Sequence, residues 1–214
     1  VTCEELLENF FTMCSKVKPN YIQAMHKQWQ ETSYVIGALG RLRHLPRSLS
    51  TESGCGDLLR EAQNSPIQGL ASDFNMLTFL QMHDLLETSP TFKPLKSHVE
   101  AVNTVHDSLV FEVDPFWGEL LYDLYITAQS QVNLLFASSE IFGDNWVDMA
   151  GDAEAGISYG DLLPCTKEWE PELPELTSFL AVEVTSKTEE GTEIKEQKSL
   201  FPYFTEKIKK KYGN

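Results

Sequence analysis

The 214-residue sequence predicts an α+β protein in which helices pack on a small antiparallel sheet. Three observations predict it. Helical periodicity and β-type runs follow the order helix, hairpin, helix, hairpin, helix, without the repeated strand–helix units of a doubly wound parallel sheet. Residues 99–113 carry the clearest strand signal in the chain, two apolar runs meeting at a tight turn. The hydrophobic fraction of 42% and charged fraction of 23% are those of an ordinary globular protein, long enough to bury a proper core.

The elements follow in order. Thr2 and Glu5 have the spacing of a capping box, and Leu6, Leu7, Phe10, Phe11 and Cys14 then recur on one helical face. Pro19 interrupts, and a second helix is expected over 20–30, burying Tyr21, Ile22, Met25 and Trp29. Residues 33–45 read as a short hairpin, with Tyr34, Val35 and Ile36 favouring a strand and Gly37 and Gly40 permitting the turn. A polar loop over 46–56 leads into a helical pattern over 57–86. Pro66 is expected to kink that helix or to open a new one, with Ser65 as N-cap. After the hairpin at 99–113, residues 116–136 form a long amphipathic helix with Leu120, Leu121, Leu124 and Tyr125 as core candidates. Beyond Ile141 the sequence turns acidic and rich in Gly and Pro. A strand pair (179–185 and 192–198) is expected there, then a basic tip (207–211) that could touch DNA or a partner but reads more readily as a disordered terminus.

Composition narrows the function. Net charge is −15, but unevenly placed: residues 1–70 carry 7 basic and 7 acidic side chains, and residues 71–214 carry 10 and 25. Such a chain should bind DNA weakly alone. A missing basic partner surface explains the imbalance, and a surplus of solvated carboxylates explains it as well. Cys3, Cys14, Cys55 and Cys165 are scattered, without a C-x-x-C pair, which argues against structural zinc and for reduced thiols in the cytoplasm. No apolar run approaches the roughly 18 residues that span a bilayer, and no signal-peptide pattern opens the sequence. The first residue is Val1 rather than Met, as in a processed, trimmed or excised chain.

The chemistry concentrates in two places. The turn of the second hairpin holds His106 and Asp107 rather than the Asn-Gly or Asp-Gly that such turns prefer. A carboxylate projected from a rigid hairpin tip is well placed to hold a divalent cation. An Asp that merely tolerates a left-handed turn position is the competing reading. Upstream, Arg60, Asn64 and Gln68 are spaced i, i+4, i+8, which keeps three N–H donors on one helical face. Every base pair presents acceptors in the minor groove, so such donors can test pair geometry without reading sequence. A solvated polar stripe has the same spacing.

These residues resemble a known family. Arg60, Asn64, Pro66, Gln68, Gly69, Ala71 and Asp73 stand as in the pattern R-x-x-x-N-x-P-[IM]-Q-G-[TS]-A-x-D of family-A DNA polymerases, the bacterial DNA polymerase I-like enzymes and their phage forms. Val105, His106 and Asp107 with the following apolar strand resemble that family's motif C, and the spacing between the two tracts matches. Gly40, Arg41 and Arg43, followed by Leu45 and Pro46, resemble its G-R-x-R tract, and Gly156 to Tyr159 resembles its closing G-x-x-[WY] element. The resemblance covers residues 1–163, the C-terminal part of a polymerase palm and fingers. It leaves 164–214 as an acidic extension.

What the resemblance implies is specific. Asp107 would be one of two carboxylates holding Mg²⁺, and His106 would sit against the primer terminus. Arg60, Asn64 and Gln68 would touch the minor-groove edge near the new base pair, and Arg41 and Arg43 would bind backbone phosphates. For those two arginines a surface hairpin with solvated side chains is the rival reading. The implied partners are primer-template DNA and deoxynucleoside triphosphates, with DNA replication in the cytoplasm (the nucleoid, or a viral host's cytoplasm) as the setting. The departures matter equally. Ser108 stands where the family has an acidic residue, and no D-x-S-x-x-E-x-R or K-x-x-x-F-G-x-x-Y-G motif is present. Both lie upstream in the family, so this chain is expected to need a second polypeptide bearing them and to be inactive alone.

Two readings therefore stand: the C-terminal part of a split DNA-directed DNA polymerase, or a non-catalytic DNA-binding or structural module that kept the fold. A self-contained nuclease has little support. His83-Asp84 repeats the turn dipeptide in a helical context, and the run Asp144, Asp148, Asp152, Glu154 lacks calcium-loop spacing.

Overall fold

The computed structural model describes residues 2–46, 55–105, 107–169, 178–187 and 193–212. The fold is α+β, with five α-helices and three small antiparallel sheets among those residues. The chain divides into two compact units, Val1–Met76 and Leu77–Asn214, and the division falls inside the longest helix.

In the first unit, helix α1 (Cys3–Met13) opens with the expected capping box. Glu5 N donates to the Thr2 hydroxyl and Thr2 N donates to the Glu5 carboxylate at 2.8 Å. None of its residues is buried: Leu6 is 59% exposed, Leu7 57%, Phe10 49% and Met13 85%. Its apolar face is thus formed as predicted and left uncovered by the described residues. Lys18 and Pro19 fall within a π-helical turn, Val17–Ile22, which runs straight into α2 (Gln23–Thr32). The helix widens at Pro19, which has no N–H to offer, instead of stopping there.

Ser33, in the left-handed conformation at φ 62°, caps α2 and turns the chain into β1 (Tyr34–Ile36), which pairs with β2 (Leu42–His44). Gly40 takes a φ of 81° in the connecting turn, a value that favours glycine. Buried Trp29 packs with Val35, Leu45 and Ala62, and its indole N–H donates to the Leu45 carbonyl at 2.8 Å. The hairpin is thereby fastened to both helices that flank it.

Helix α3 (Cys55–Thr88) passes through Pro66 without a break. The expectation of a new helix there is corrected: Ser65 is no N-cap, and its hydroxyl donates back to the Glu61 carbonyl at 2.7 Å. Tertiary contacts hold the turn that Pro66 weakens. Ala62, whose carbonyl has no proline N–H to accept from, is fully buried against the Trp29 cluster. Tyr21 donates to the Gln63 carbonyl at 2.6 Å, and the His26 ring lies 3.1 Å from the Leu59 carbonyl.

In the second unit, β3 (Val99–Val105) and β4 (Ser108–Val113) form the predicted hairpin. It rests on a core of Met82, Phe92, Leu95, Leu124 and Ala128, reached by Val99, Leu109, Phe111 and Val113. Leu120, Leu121, Leu124 and Tyr125 of α4 (Gly118–Ala137) belong to that core as expected. The helix starts two residues later than the pattern suggested. Asp114 accepts from Phe116 N at 3.0 Å and closes a 3₁₀ turn, Pro115–Trp117, ahead of it.

A four-stranded sheet follows: β5 (Ala153–Ala155), β6 (Leu163–Trp169), β7 (Ser178–Lys187) and β8 (Glu193–Ser199), in that order. The expected strand pair is β7–β8; β5 and β6 were not expected. Pro164 is tolerated at the edge of β6, since it pairs only with Glu154 of β5 and the pairing with β7 begins one residue on at Cys165. Burial and the nearby Glu154 push the Cys165 thiol up to about 11. The basic tip is also corrected. Residues Leu200–Tyr212 form a helix, α5, whose Leu200 and Phe204 are buried with Val182 and packed against Tyr122 of α4. The sheet joins residues on both sides of position 163.

Candidate nucleic-acid and metal site

Asp107 stands at the tip of the β3–β4 hairpin. Val105 pairs with Ser108, leaving a two-residue connection, and Asp107 is exposed within it. His106 lies outside the described residues. Below the tip the register slips: Ala101 faces Phe111 and Asn103 faces Val110, so Val102 is an extra, bulged residue on β3. A bulge increases strand twist and re-aims the residues beyond it. Phe111 meets Phe79 of α3 at 6.1 Å between ring centres, which anchors the far side of the strand. At the base of the hairpin Glu100 and Glu112 face each other, both exposed. Like charges in that position destabilise a sheet.

The carboxylate at the tip has no hydrogen bond or ion pair among the described residues. Among the described residues no group of three His, Cys, Asp or Glu side chains could hold a metal ion, and that includes the run Asp144, Asp148, Asp152 and Glu154. A hard dication such as Mg²⁺ takes six oxygen ligands in near-octahedral array. One exposed carboxylate does not fit that need by itself.

The first unit carries the donors. Because α3 is continuous, Arg60, Asn64 and Gln68 lie on one face, and all three are exposed. Arg60 pairs with Asp57 one turn earlier. The two hairpin arginines are tied to the same helix. Arg43 bonds Glu61 at 2.5 Å, and Arg41 makes a two-pronged contact with Asp73, its Nε donating to Oδ2 at 3.3 Å and its Nη2 to Oδ1. The hydrogen bond and charge of Asp73 hold the Arg41 proton more tightly than usual. The Arg41 stem crosses Gly69, where an added Cβ would sit 3.6 Å from its Cδ. The small hollow among Val35, Gly37, Arg41, Pro66 and Asp73 has a volume of about 20 Å³, room for about one water and no substrate.

Sequence reasoning placed the arginines and missed the carboxylates that hold them. Asp57–Arg60 was readable as an i, i+3 helical pair. Arg41–Asp73 and Arg43–Glu61 join residues far apart in sequence, and only the fold brings them together.

A model of DNA polymerase family A matches residues 1–127. The chain belongs to that family. The match takes in both hairpins, all of α3 and the first half of α4. Among relatives, the DNA polymerase of Bacillus phage SP01 is 28% identical over 169 residues, 78% of this chain and 17% of that polymerase. DNA polymerase I of Helicobacter pylori is 29% identical over 108 residues, 50% of this chain and 11% of that protein. The thermostable DNA polymerase I of Thermus filiformis is 30% identical over 111 residues, 51% and 12% respectively. This family-A chain therefore spans less than a fifth of the length of each of these three relatives. No helix among its described residues is long and apolar enough to cross a membrane.

Proposed function

We propose that this chain is the C-terminal palm portion of a DNA-directed DNA polymerase, completed by a polypeptide that carries the missing family motifs. Residues 1–163 form the family part and 164–214 an extension of it. The observation that carries the reading is Asp107, an exposed carboxylate on a two-residue turn whose strands are seated on a packed core. A rigid element of that kind fixes a ligand's position at low cost in mobility. Asp107 supplies one carboxylate for Mg²⁺, and the remaining ligands come from residues outside this chain and from the triphosphate. Arg60, Asn64 and Gln68 contact the minor-groove edge of primer-template DNA, and His106 lies against the primer terminus. The expected setting is the cytoplasm, at the nucleoid or in a viral host.

The test is primer extension with Mg²⁺ by whatever co-purifies with the tagged chain from its source, beside the chain alone and an Asp107→Ala variant. Activity is expected only in the co-purified material, and Asp107→Ala should abolish it while leaving DNA binding in place. Extension at the unaltered rate by the variant would remove Asp107 from the site.

Two observations favour a second reading, a non-catalytic module that retains the fold: among the described residues the tip carboxylate belongs to no metal-holding group, and Arg41, Arg43 and Arg60 are each engaged by a carboxylate of the chain itself. Absence of activity and of any partner in the same experiment would decide for it.

A further inference from the structure

Helix α5 lies wholly beyond the family-matched residues. Its last turn carries Lys209, Lys210 and Lys211, all exposed, and Lys207 stands just before them. Lys207 is committed: it bonds Asp161 at 2.8 Å and lies 5.7 Å from the centre of the Tyr203 ring. Lys209 and Lys210 form no ion pair with any described side chain, whereas Arg41, Arg43 and Arg60 all do. Lys27, Lys96, Lys187, Lys195 and Lys198 are likewise matched to carboxylates, whereas Lys16, Lys18 and Lys93 have no ion pair with a described side chain. On a chain of net charge −15, Lys209 and Lys210 are the described lysines without an ion pair that stand on adjacent residues.

The turn that presents them is held firmly. Leu200 and Phe204 are 4% exposed each, and Leu200 abuts the first residue of α4, where a Cβ on Gly118 would lie 2.8 Å from its Cδ2. The lysines thus project from a helix packed on the same compact unit as Asp107. Favourable interaction with the negative end of the helix accounts for some lysine in a last turn. It does not call for two further cations left facing solvent on so acidic a protein.

We propose that the α5 lysine turn, centred on Lys209 and Lys210, is a sequence-independent contact to the DNA phosphate backbone, additional to the contacts of the family-matched region. The chemistry it fits is a polyanion with closely spaced phosphates, met by flexible ammonium groups that neutralise charge without reading bases. The inference rests on the polymerase reading for its ligand, but its readout is equilibrium binding and not catalysis.

The experiment is fluorescence anisotropy of a labelled mixed-sequence duplex with the full chain, from 25 to about 200 mM salt, a range over which phosphate contacts show as a slope. The comparison is with a Lys209→Gln/Lys210→Gln double variant, which leaves the Lys207–Asp161 pair intact. Circular dichroism confirms that the variant keeps its helix. The unaltered chain is expected to bind with a salt-dependent affinity, and the variant should lose about 1.8 from the slope of log affinity against log salt, about 0.9 for each phosphate contact. Equal slopes, or no binding by the unaltered chain at the lowest salt, overturn the proposal. Unchanged DNA binding with loss of a co-purified polypeptide would overturn it too, assigning the turn to an acidic protein surface. Because Asp107→Ala leaves binding in place, failure here and failure of the catalytic reading are separable.

Discussion

The two hairpins use the same element in opposite ways. The β1–β2 hairpin has three residues per strand, buries Val35 completely, and spends its arginines on ion pairs to α3. Among the described residues, the β3–β4 hairpin is longer, bulged at Val102, unpaired on both outer edges, and ends in a carboxylate with no hydrogen bond or ion pair. One is stitched down at its charged groups; the other is stitched down at its apolar face and leaves its charge outward. Ion pairs at the surface contribute little stability, so the first hairpin's attachment must come from Trp29 and Val35. The second hairpin's strain, a Glu100–Glu112 pair at its base, is tolerated because Phe111 and Val113 are anchored below.

That contrast can be broken most severely at Trp29. Trp29→Ala should cost about 3–5 kcal/mol, since it removes a buried indole and leaves the Leu45 carbonyl without its donor. Urea denaturation should show the loss, and a change under about 1 kcal/mol would mean the hairpin is held by its arginines after all. A smaller and opposite effect is expected in the other hairpin. Glu100→Thr relieves the facing carboxylates and should add about 0.2–1 kcal/mol of stability, with the largest benefit at low salt. A destabilised variant would show that the pair is not repulsive in its native setting. The smallest effect on folding belongs to Asp73→Asn, which frees Arg41 at the surface. Stability should hardly move, while the salt slope of duplex binding rises by about 0.9 if the released guanidinium reaches a phosphate. An unaltered slope would make Arg41 a structural clamp only.

The same contrast explains what could be read from sequence. The β3–β4 hairpin, Asp107 at its tip and the Arg60–Asn64–Gln68 stripe were legible because each depends on local periodicity or on a turn of fixed length. The continuity of α3 was not, because Pro66 disfavours a helix locally and only the burial of Ala62 and the bonds from Tyr21 and His26 overrule it. Strand β6 was hidden by Pro164 for a related reason: the open side next to that residue exists only once β5 and β7 are in place. Helix α5 was read as a loose lysine tail. Its apolar face of Leu200 and Phe204 reads as helical only when a sheet and Tyr122 stand ready to cover it.

The contact between Gly118 and Leu200 has a consequence for substitution. A glycine at the head of α4 leaves a notch, and the buried Leu200 fills it. Grafting the C-terminal sheet and α5 onto a relative with any side chain at that place would drive its Cβ into the leucine. A side chain at position 118 therefore requires an adjustment of Leu200.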